Sequence, residues 1–415
     1  MDATELADFS KRIRLCIADD RFRVVLCLSF AIMATVSWPL WIETERFPRI
    51  PFVSGLPTFG PLGSRILFLG LILTTLFGIV NRVSLVLSAA ILGWLISGDQ
   101  TRFQPWAYYY GLTALSLATL SRRKAWGLAR IFVIALYFHS GLSKLDVSFC
   151  RETGPWIIGA LFSRLGFASE KFGIGWYYLI LPGVEMAIAM GLCLKKTRAI
   201  ALAAALAMHA ALIVFLGPLG RRQSGDLLIW NVSMMIENLT LFRSKVGDVV
   251  FIRDPERAWE FWVRLIFIFA AILPFGERFG RFDAWPSFAL YAGHVERTEI
   301  FITEEAARYL TVEARHALVR VDGQPWLRLD LSGWSRKVSG VPSYPANRTS
   351  NGLAQAIAMR IEKFPSVRVI EWGRADPIWG TRERREALGL DQIRRLGERY
   401  RLNARPEGSF STHVQ

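Results

Sequence analysis

The chain has 415 residues, 52% of them hydrophobic, with 15 tryptophans, 28 phenylalanines and a formal charge of +15. A water-soluble fold has no use for repeated apolar runs of about 15–20 residues, so this composition excludes an ordinary soluble globular protein. The positive charge would point to nucleic acid in a soluble protein, but here it collects in alternate short loops, which reads as membrane topology and leaves nucleic acid out.

In chain order the apolar runs are about Phe22–Trp41, Arg65–Val80, Val83–Ile96, Trp106–Leu120, Leu128–Leu142, Trp176–Leu194, Ala199–Gly217, Leu227–Phe242 and Phe261–Phe275. A spanning helix needs roughly 20 predominantly apolar residues, about 17 at the low end. The pattern therefore predicts a polytopic, mainly α bundle of about nine spans, the third short enough to be tilted. The basic start, Lys11-Arg-Ile-Arg14 with Arg21, precedes a run too long for a signal peptide and shows no small-residue cleavage site. The first span is expected to remain as an anchor.

Lys and Arg gather at the N-terminus, Arg82, Arg122-Arg123-Lys124, Lys195-Lys196-Thr-Arg198 and Arg243 to Arg257. That bias puts the N-terminus in the cytoplasm and, with nine spans, the C-terminal segment outside a bacterial inner membrane. The loop Ser143–Gly175 contains Pro155–Phe167, too short to span but apolar enough to lie in the interface as a roof over the fifth span. The cysteines, Cys16, Cys27, Cys150 and Cys193, show neither a disulfide framework nor metal-ligand spacing, and no metal is predicted.

From about Glu277 the sequence turns polar, dividing the chain into a membrane domain, 1–276, and a small extramembrane α+β domain, 277–415. Thr298–Thr303 reads as a strand, and Ala317–Val321 with Trp326–Leu331 as a hairpin turning at Asp322-Gly323. Gly352–Phe364 has helical spacing, Val367–Trp372 reads as a strand, and Thr381–Tyr400 as a charged amphipathic helix. Trp334, Tyr344, Arg348, Trp372, Arg374, Asp376 and Trp379 are either a binding face or, for the tryptophans above all, core.

Ionisable groups inside a bilayer are costly and mark functional positions. His139 and Lys144 approach the outer end of the fifth span. At about 1.5 Å per residue, Glu185 lies roughly 12 Å into the sixth span, His209 about 16 Å along the seventh and Asn231 about 6–9 Å into the eighth. All fall at or outside the midplane, and the inner halves of the helices read as apolar, which counts against a transport path. Each group also has a plain structural reading. Lys144 could snorkel, Asp146 and Asp226 could cap helices, and His139 and Asn231 could bond neighbouring helices. Glu185 could satisfy backbone freed by Pro182. The functional reading joins them: an amine in a dry cavity loses hydration and can serve as a base, a histidine can hold or relay the proton, and Tyr137, Phe138, Trp156 and Trp230 can line a slot for a flat lipid-soluble ligand.

The run Tyr137-Phe-His-Ser-Gly-Leu-Ser-Lys-Leu-Asp146 resembles the corresponding segment of the vitamin K-dependent gamma-carboxylases and their bacterial relatives, the HTTM (horizontally transferred transmembrane) proteins. The likeness extends over about a quarter of the chain. It takes in a span with an acid, Glu185, a span ending His209 to Gly217, and one running from Leu227 to Phe242. It implies Lys144 as general base, a reduced vitamin K-type quinone as cofactor, and oxygen-driven removal of a glutamyl proton followed by carboxylation. Ser143 stands where the animal enzymes have another lysine. The C-terminal domain is much smaller than theirs, has no cysteine and shows no counterpart of their propeptide-recognition region, which weighs against a protein substrate. The DoxX/MauE redox-associated membrane proteins share Gly-x-x-Lys elements at helix ends.

The expected function is therefore quinone-linked proton abstraction or carboxylation; the alternative is a non-enzymatic DoxX/MauE-like redox subunit. The expected catalytic residues are Lys144, His209 and His139. Tyr137, Phe138, Trp156, Glu185 and Asn231 are expected to bind the quinone. The expected partners are the bilayer, a quinone, and a protein substrate or redox protein.

Overall fold

The computed structural model describes residues 20–166, 175–244, 246, 257–361 and 366–407. The basic start Lys11–Arg14, Cys16 and most of the loop Arg243 to Arg257 lie outside the described residues. The chain is mainly helical with one small sheet. Each predicted span is a helix: α1 (Arg21–Val36), α2 (Gly60–Phe77), α3 (Arg82–Gly98), α4 (Pro105–Thr119) and α5 (Arg122–Leu142) come first. After the short α6 (Gly154–Arg164) come α7 (Ile180–Cys193), α8 (Arg198–Leu216), α9 (Gly225–Arg243) and α10 (Ala258–Ile272).

Five segments among the described residues are long and apolar enough to cross a membrane: Gly60–Phe77, Arg122–Leu142, Trp176–Cys193, Arg198–Leu216 and Ala258–Phe279. The remaining helices of the bundle fall short for visible reasons. α1 has 16 residues and stops at Ser37, whose hydroxyl turns back to Met33 O ahead of Pro39. α3 has 17 residues and α4 has 15. α9 has 19 but carries Asp226, Glu237 and Arg243.

Local chemistry sets the helix ends. Asp20 accepts from Arg23 N and Asn81 from Val83 N, supplying acceptors to open N–H groups, and prolines start α2 and α4 where no N–H is needed. α5 runs through the middle of the bundle, its Phe132, Val133 and Tyr137 fully buried. At the far end of α9, Arg130 of α5 donates to Leu241 O and Ser244 O and closes the last turn.

The polar region folds on a five-stranded antiparallel sheet in the order β2-β3-β1-β4-β5. Its strands are β1 (Arg297–Thr303), β2 (Leu318–Arg320), β3 (Trp326–Leu329), β4 (Val367–Trp372) and β5 (Arg384–Leu388). The hairpin turns at Gly323, which sits in the left-handed region. Helices α11 (Leu331–Ser339), α12 (Asn347–Ile361) and α13 (Gly389–Gly397) complete the domain. Ile300, Ile302, Val367 and Val369 of the sheet share one core with Leu353 and Ile357 of α12 and Trp334 of α11. Trp334 is thus core, packed edge-on against Phe47, while Trp379 is exposed.

One expectation for this domain is overturned. The helix expected over 381–400 is a strand followed by a short helix. Arg384, Glu386 and Leu388 alternate along edge strand β5, and Gly389, in the left-handed region, turns the chain from β5 into α13. Helix α11, capped by Asp330 on Gly333 N, was not foreseen at all.

This domain docks on the end of the bundle opposite the start of α1. Phe47 and Ile50, from the connection between α1 and α2, enter its core. Gln100, beyond α3, accepts from Arg348 Nε at 3.0 Å and Thr349 Oγ1 at 2.6 Å. Arg348 also grips Asp283 through two bonds of 2.7 and 2.5 Å. Burial would raise the Asp283 carboxyl, but the Arg348 guanidinium outweighs it and holds the group below the usual carboxylate range.

Candidate functional site

Helix geometry decides which polar groups meet. Tyr137, Ser140 and Lys144 are spaced i, i+3, i+7 and share one side of α5 and its final turn. The turn continues past Leu142, since Lys144 N still donates to Gly141 O at 3.0 Å. Gly141 lets α7 approach this side: a Cβ there would lie 2.7 Å from both Pro182 O and Met186 Cγ. The close approach brings Glu185 to Lys144. Lys144 Nζ donates to Glu185 Oε2 at 2.8 Å and Oε1 at 3.2 Å, and to the carbonyl and hydroxyl oxygens of Ser140 at 2.7 Å each. The side chains are 5% and 13% exposed, so the pair is withdrawn from solvent.

A second chain of hydrogen bonds runs alongside. Asn231 Nδ2 donates to Leu227 O at 2.9 Å, which turns Oδ1 toward His209. His209 Nδ1 then carries the hydrogen and donates to Asn231 Oδ1 at 2.9 Å. Its Nε2 is left as acceptor for the Tyr137 hydroxyl at 2.6 Å, and Asn238 Nδ2 donates to the Tyr137 oxygen. Every member has a defined direction, and the imidazole is fixed in one tautomer.

Both groups face one apolar cavity of about 440 Å³ between α5, α7, α8 and α9, lined by Tyr137, Lys144, Glu185, His209 and Asn231 among others. Phe149, Ile157 and Tyr291 line it at the end nearer the sheet domain. Tyr291 and nearby Phe288 hold φ of 59° and 55°, a conformation bulky side chains rarely adopt. Tyr291 stacks on Trp156, over which Arg221 lies. The volume suits a small ligand, and the wall is greasy with a few convergent polar groups. No family model, curated protein or solved structure matches the chain.

The cavity does not gather every expected residue. His139 is two positions from Tyr137, about 200° round the helix. It points away to α10, where its Nε2 bonds Ala271 O at 2.7 Å and its ring meets Phe275. Phe138 packs on the same Phe275. Trp156 stands behind Tyr291 rather than in the wall.

The reading of the inner halves as apolar is also corrected. Glu237 and Asn238 of α9 and Arg130 of α5 are buried in the halves of these helices away from the sheet domain, with the Tyr109 hydroxyl donating to Glu237 Oε2 at 2.7 Å. Ser140 and Asn238 are site residues that sequence reasoning passed over. Ser140 carries a signal, four residues before Lys144. Asn238 lies within the run Leu227–Phe242, and only its bond to Tyr137 brings it into the site.

Just outside the cavity, Asp146 joins the bundle to the sheet domain. Its Oδ1 accepts from Phe149 N at 2.7 Å, and its Oδ2 meets His294 Nδ1 at 2.8 Å. His294 Nε2 reaches Glu277 at 3.1 Å, and Arg374 pairs with Glu277 from the other side. Burial alone would push the His294 imidazole down, but the carboxylates of Asp146 and Glu277 outweigh it and hold it above its ordinary range.

Proposed function

We propose that all nine long helices cross one bilayer, the bacterial inner membrane, with the N-terminus cytoplasmic and the sheet domain outside. In this reading the chain is an HTTM-like relative of the vitamin K-dependent gamma-carboxylases, and the cavity binds a reduced quinone for proton abstraction. The observation that carries the proposal is the buried Lys144–Glu185 pair at the wall of an apolar cavity, beside the oriented Tyr137–His209–Asn231 chain.

The fit of the residues to a quinone is good. The wall is apolar and aromatic, and the Lys144–Glu185 pair is a polar group on it that a ring hydroxyl could meet. A bound reduced quinone supplies acidic hydroxyls and two electrons. The residues supply the proton handling. Glu185 can hold a proton on Oε1 or Oε2, and the Lys144 ammonium beside it stabilises negative charge. Tyr137 and His209 form a second donor–acceptor set that keeps its direction through Asn231 and Asn238. The roof of Phe149, Ile157 and Tyr291 excludes water from the outer end.

The test is oxygen consumption by the purified protein in nanodiscs supplied with a reduced naphthoquinone. Turnover is expected, with a loss of at least a hundredfold in Lys144→Met and Glu185→Gln. Absence of turnover in the unaltered protein, or full activity in Lys144→Met, refutes the proposal.

A further inference from the structure

We infer that the cavity takes its ligand sideways from the bilayer, through an opening between α7 and α8, and that the ligand carries a long hydrocarbon chain which stays in that opening. This deepens the reading above and rests on the cavity being a ligand site.

The lining residues differ sharply in exposure. On the α5 and α9 sides they are buried, as Leu136, Tyr137, Trp230 and Met234 are. At the outer end Phe149 and Ile157 are buried too. On α7 and α8 the lining includes Val184, 42% exposed, and the exposed Ala207 and Ala211. Residues that both line a cavity and face outward, on two adjacent helices, mark its mouth.

The depth of the mouth decides what can pass. Ala207 lies midway along α8, about 13 Å from either end, and Ala211 about 8 Å from the end nearer Lys144. With α8 spanning the membrane, both lie within a hydrocarbon layer about 30 Å thick. Only lipid chains and molecules dissolved among them reach an opening there. The α7–α8 pair is joined tightly at its hairpin, where a Cβ on Gly191 would lie 2.7 Å from Ala201 Cβ, whereas a Cβ on Gly183, toward the end that carries Glu185, would meet nothing within 4 Å. The small side chains of Ala207 and Ala211 leave the gap unfilled.

Polarity inside the cavity runs the same way as in a lipid leaflet. Lys144, Ser140 and Glu185 stand nearest the outer end, Tyr137, His209 and Asn231 follow along one side, and the wall toward Ala204, Met208 and Met234 is apolar. An amphiphile entering sideways keeps its oxygen-bearing head toward Lys144 and its chain toward the mid-plane. It need not turn over.

The experiment is photo-crosslinking of the full chain in proteoliposomes with hexadecanol bearing a mid-chain diazirine, read by peptide mass spectrometry. Adducts are expected on the interior residues Met208, Leu212 and Met234. They should fall at least tenfold in Ala207→Trp/Ala211→Trp, and in Val184→Trp, which closes the gap from the other helix. Adducts on the outward-facing Ile200 and Val214 should persist and report an intact fold. Interior adducts that are absent from the unaltered protein, that survive both variants, or that form as readily with a charged, water-confined diazirine overturn the inference. Interior adducts without any quinol turnover refute the quinone chemistry and leave the sideways route supported.

Discussion

Lys144→Met is the perturbation whose outcome separates a packed structural ion pair from a surface one. Lys144 Nζ makes two bonds to Glu185 and two to Ser140, and neither member of the pair is appreciably exposed. Exposed ion pairs contribute about 0–1 kcal/mol. Removing one partner of a buried pair costs about 3–5 kcal/mol, because the other charge is stranded. Either Lys144→Met or Glu185→Gln should therefore destabilise by about 3–5 kcal/mol, whereas Lys144→Met/Glu185→Gln, which strands nothing, should return to within about 1 kcal/mol of the unaltered protein. Equilibrium unfolding in bicelles measures all four corners of the cycle. Activity should remain lost in the double variant, so stability and turnover part company there. A cost below about 1 kcal/mol for Lys144→Met, or additive losses in the double variant, would show that the amine is solvated and the reasoning from burial is wrong.

Gly141→Ala should separate α5 from α7, since the added methyl meets Pro182 O and Met186 Cγ at 2.7 Å; overpacking of this kind costs about 1–3 kcal/mol, and thermal unfolding that is unchanged would contradict the contact. Burial pushes the Glu371 carboxyl up from 4.5 to about 7, with Tyr400 and Asn351 only partly opposing it. The folded state then binds the extra proton, so stability should fall as pH rises from about 4.5 to about 7, by about 3 kcal/mol at 1.36 kcal/mol per pH unit. Glu371→Gln should flatten that slope in thermal scans of the solubilised full chain, and an unaltered slope would count against it. The His294 imidazole, raised by Asp146 and Glu277, should stabilise the docked sheet domain fully below about pH 6.5 and lose this as pH climbs through its raised value. Hydrogen-exchange protection across 290–294, taken relative to the intrinsic exchange rate at each pH, should fall over that range in the unaltered protein but not in His294→Gln.

Much of this was legible in the sequence because a polar residue in an apolar helix is conspicuous. Lys144, Glu185, His209, Asn231 and Tyr137 line one cavity for that reason. His139 failed the same test, although helix geometry alone puts it on the opposite side from Tyr137. Asn238 and Glu237 lie within the run Leu227–Phe242, and their partners Tyr137 and Tyr109 are about 100 or more positions away, so no local pattern singles them out. The strand and helix of 384–397 were lost because an exposed edge strand carries charges at a density that also suits a helix. The links that dock the sheet domain, Asp146 with His294 and Gln100 with Arg348, connect residues 148 and 248 positions apart, and no local pattern announces them.

The most direct measurement is mass spectrometry of lipophilic molecules retained by the protein after gentle extraction, compared between the unaltered chain and Ala204→Trp, which drives an indole into the cavity. One lipophile near equimolar amount, absent from Ala204→Trp, is the predicted result. The same lipid profile in both proteins would contradict the claim that the hollow beside Lys144 and Glu185 is a binding site.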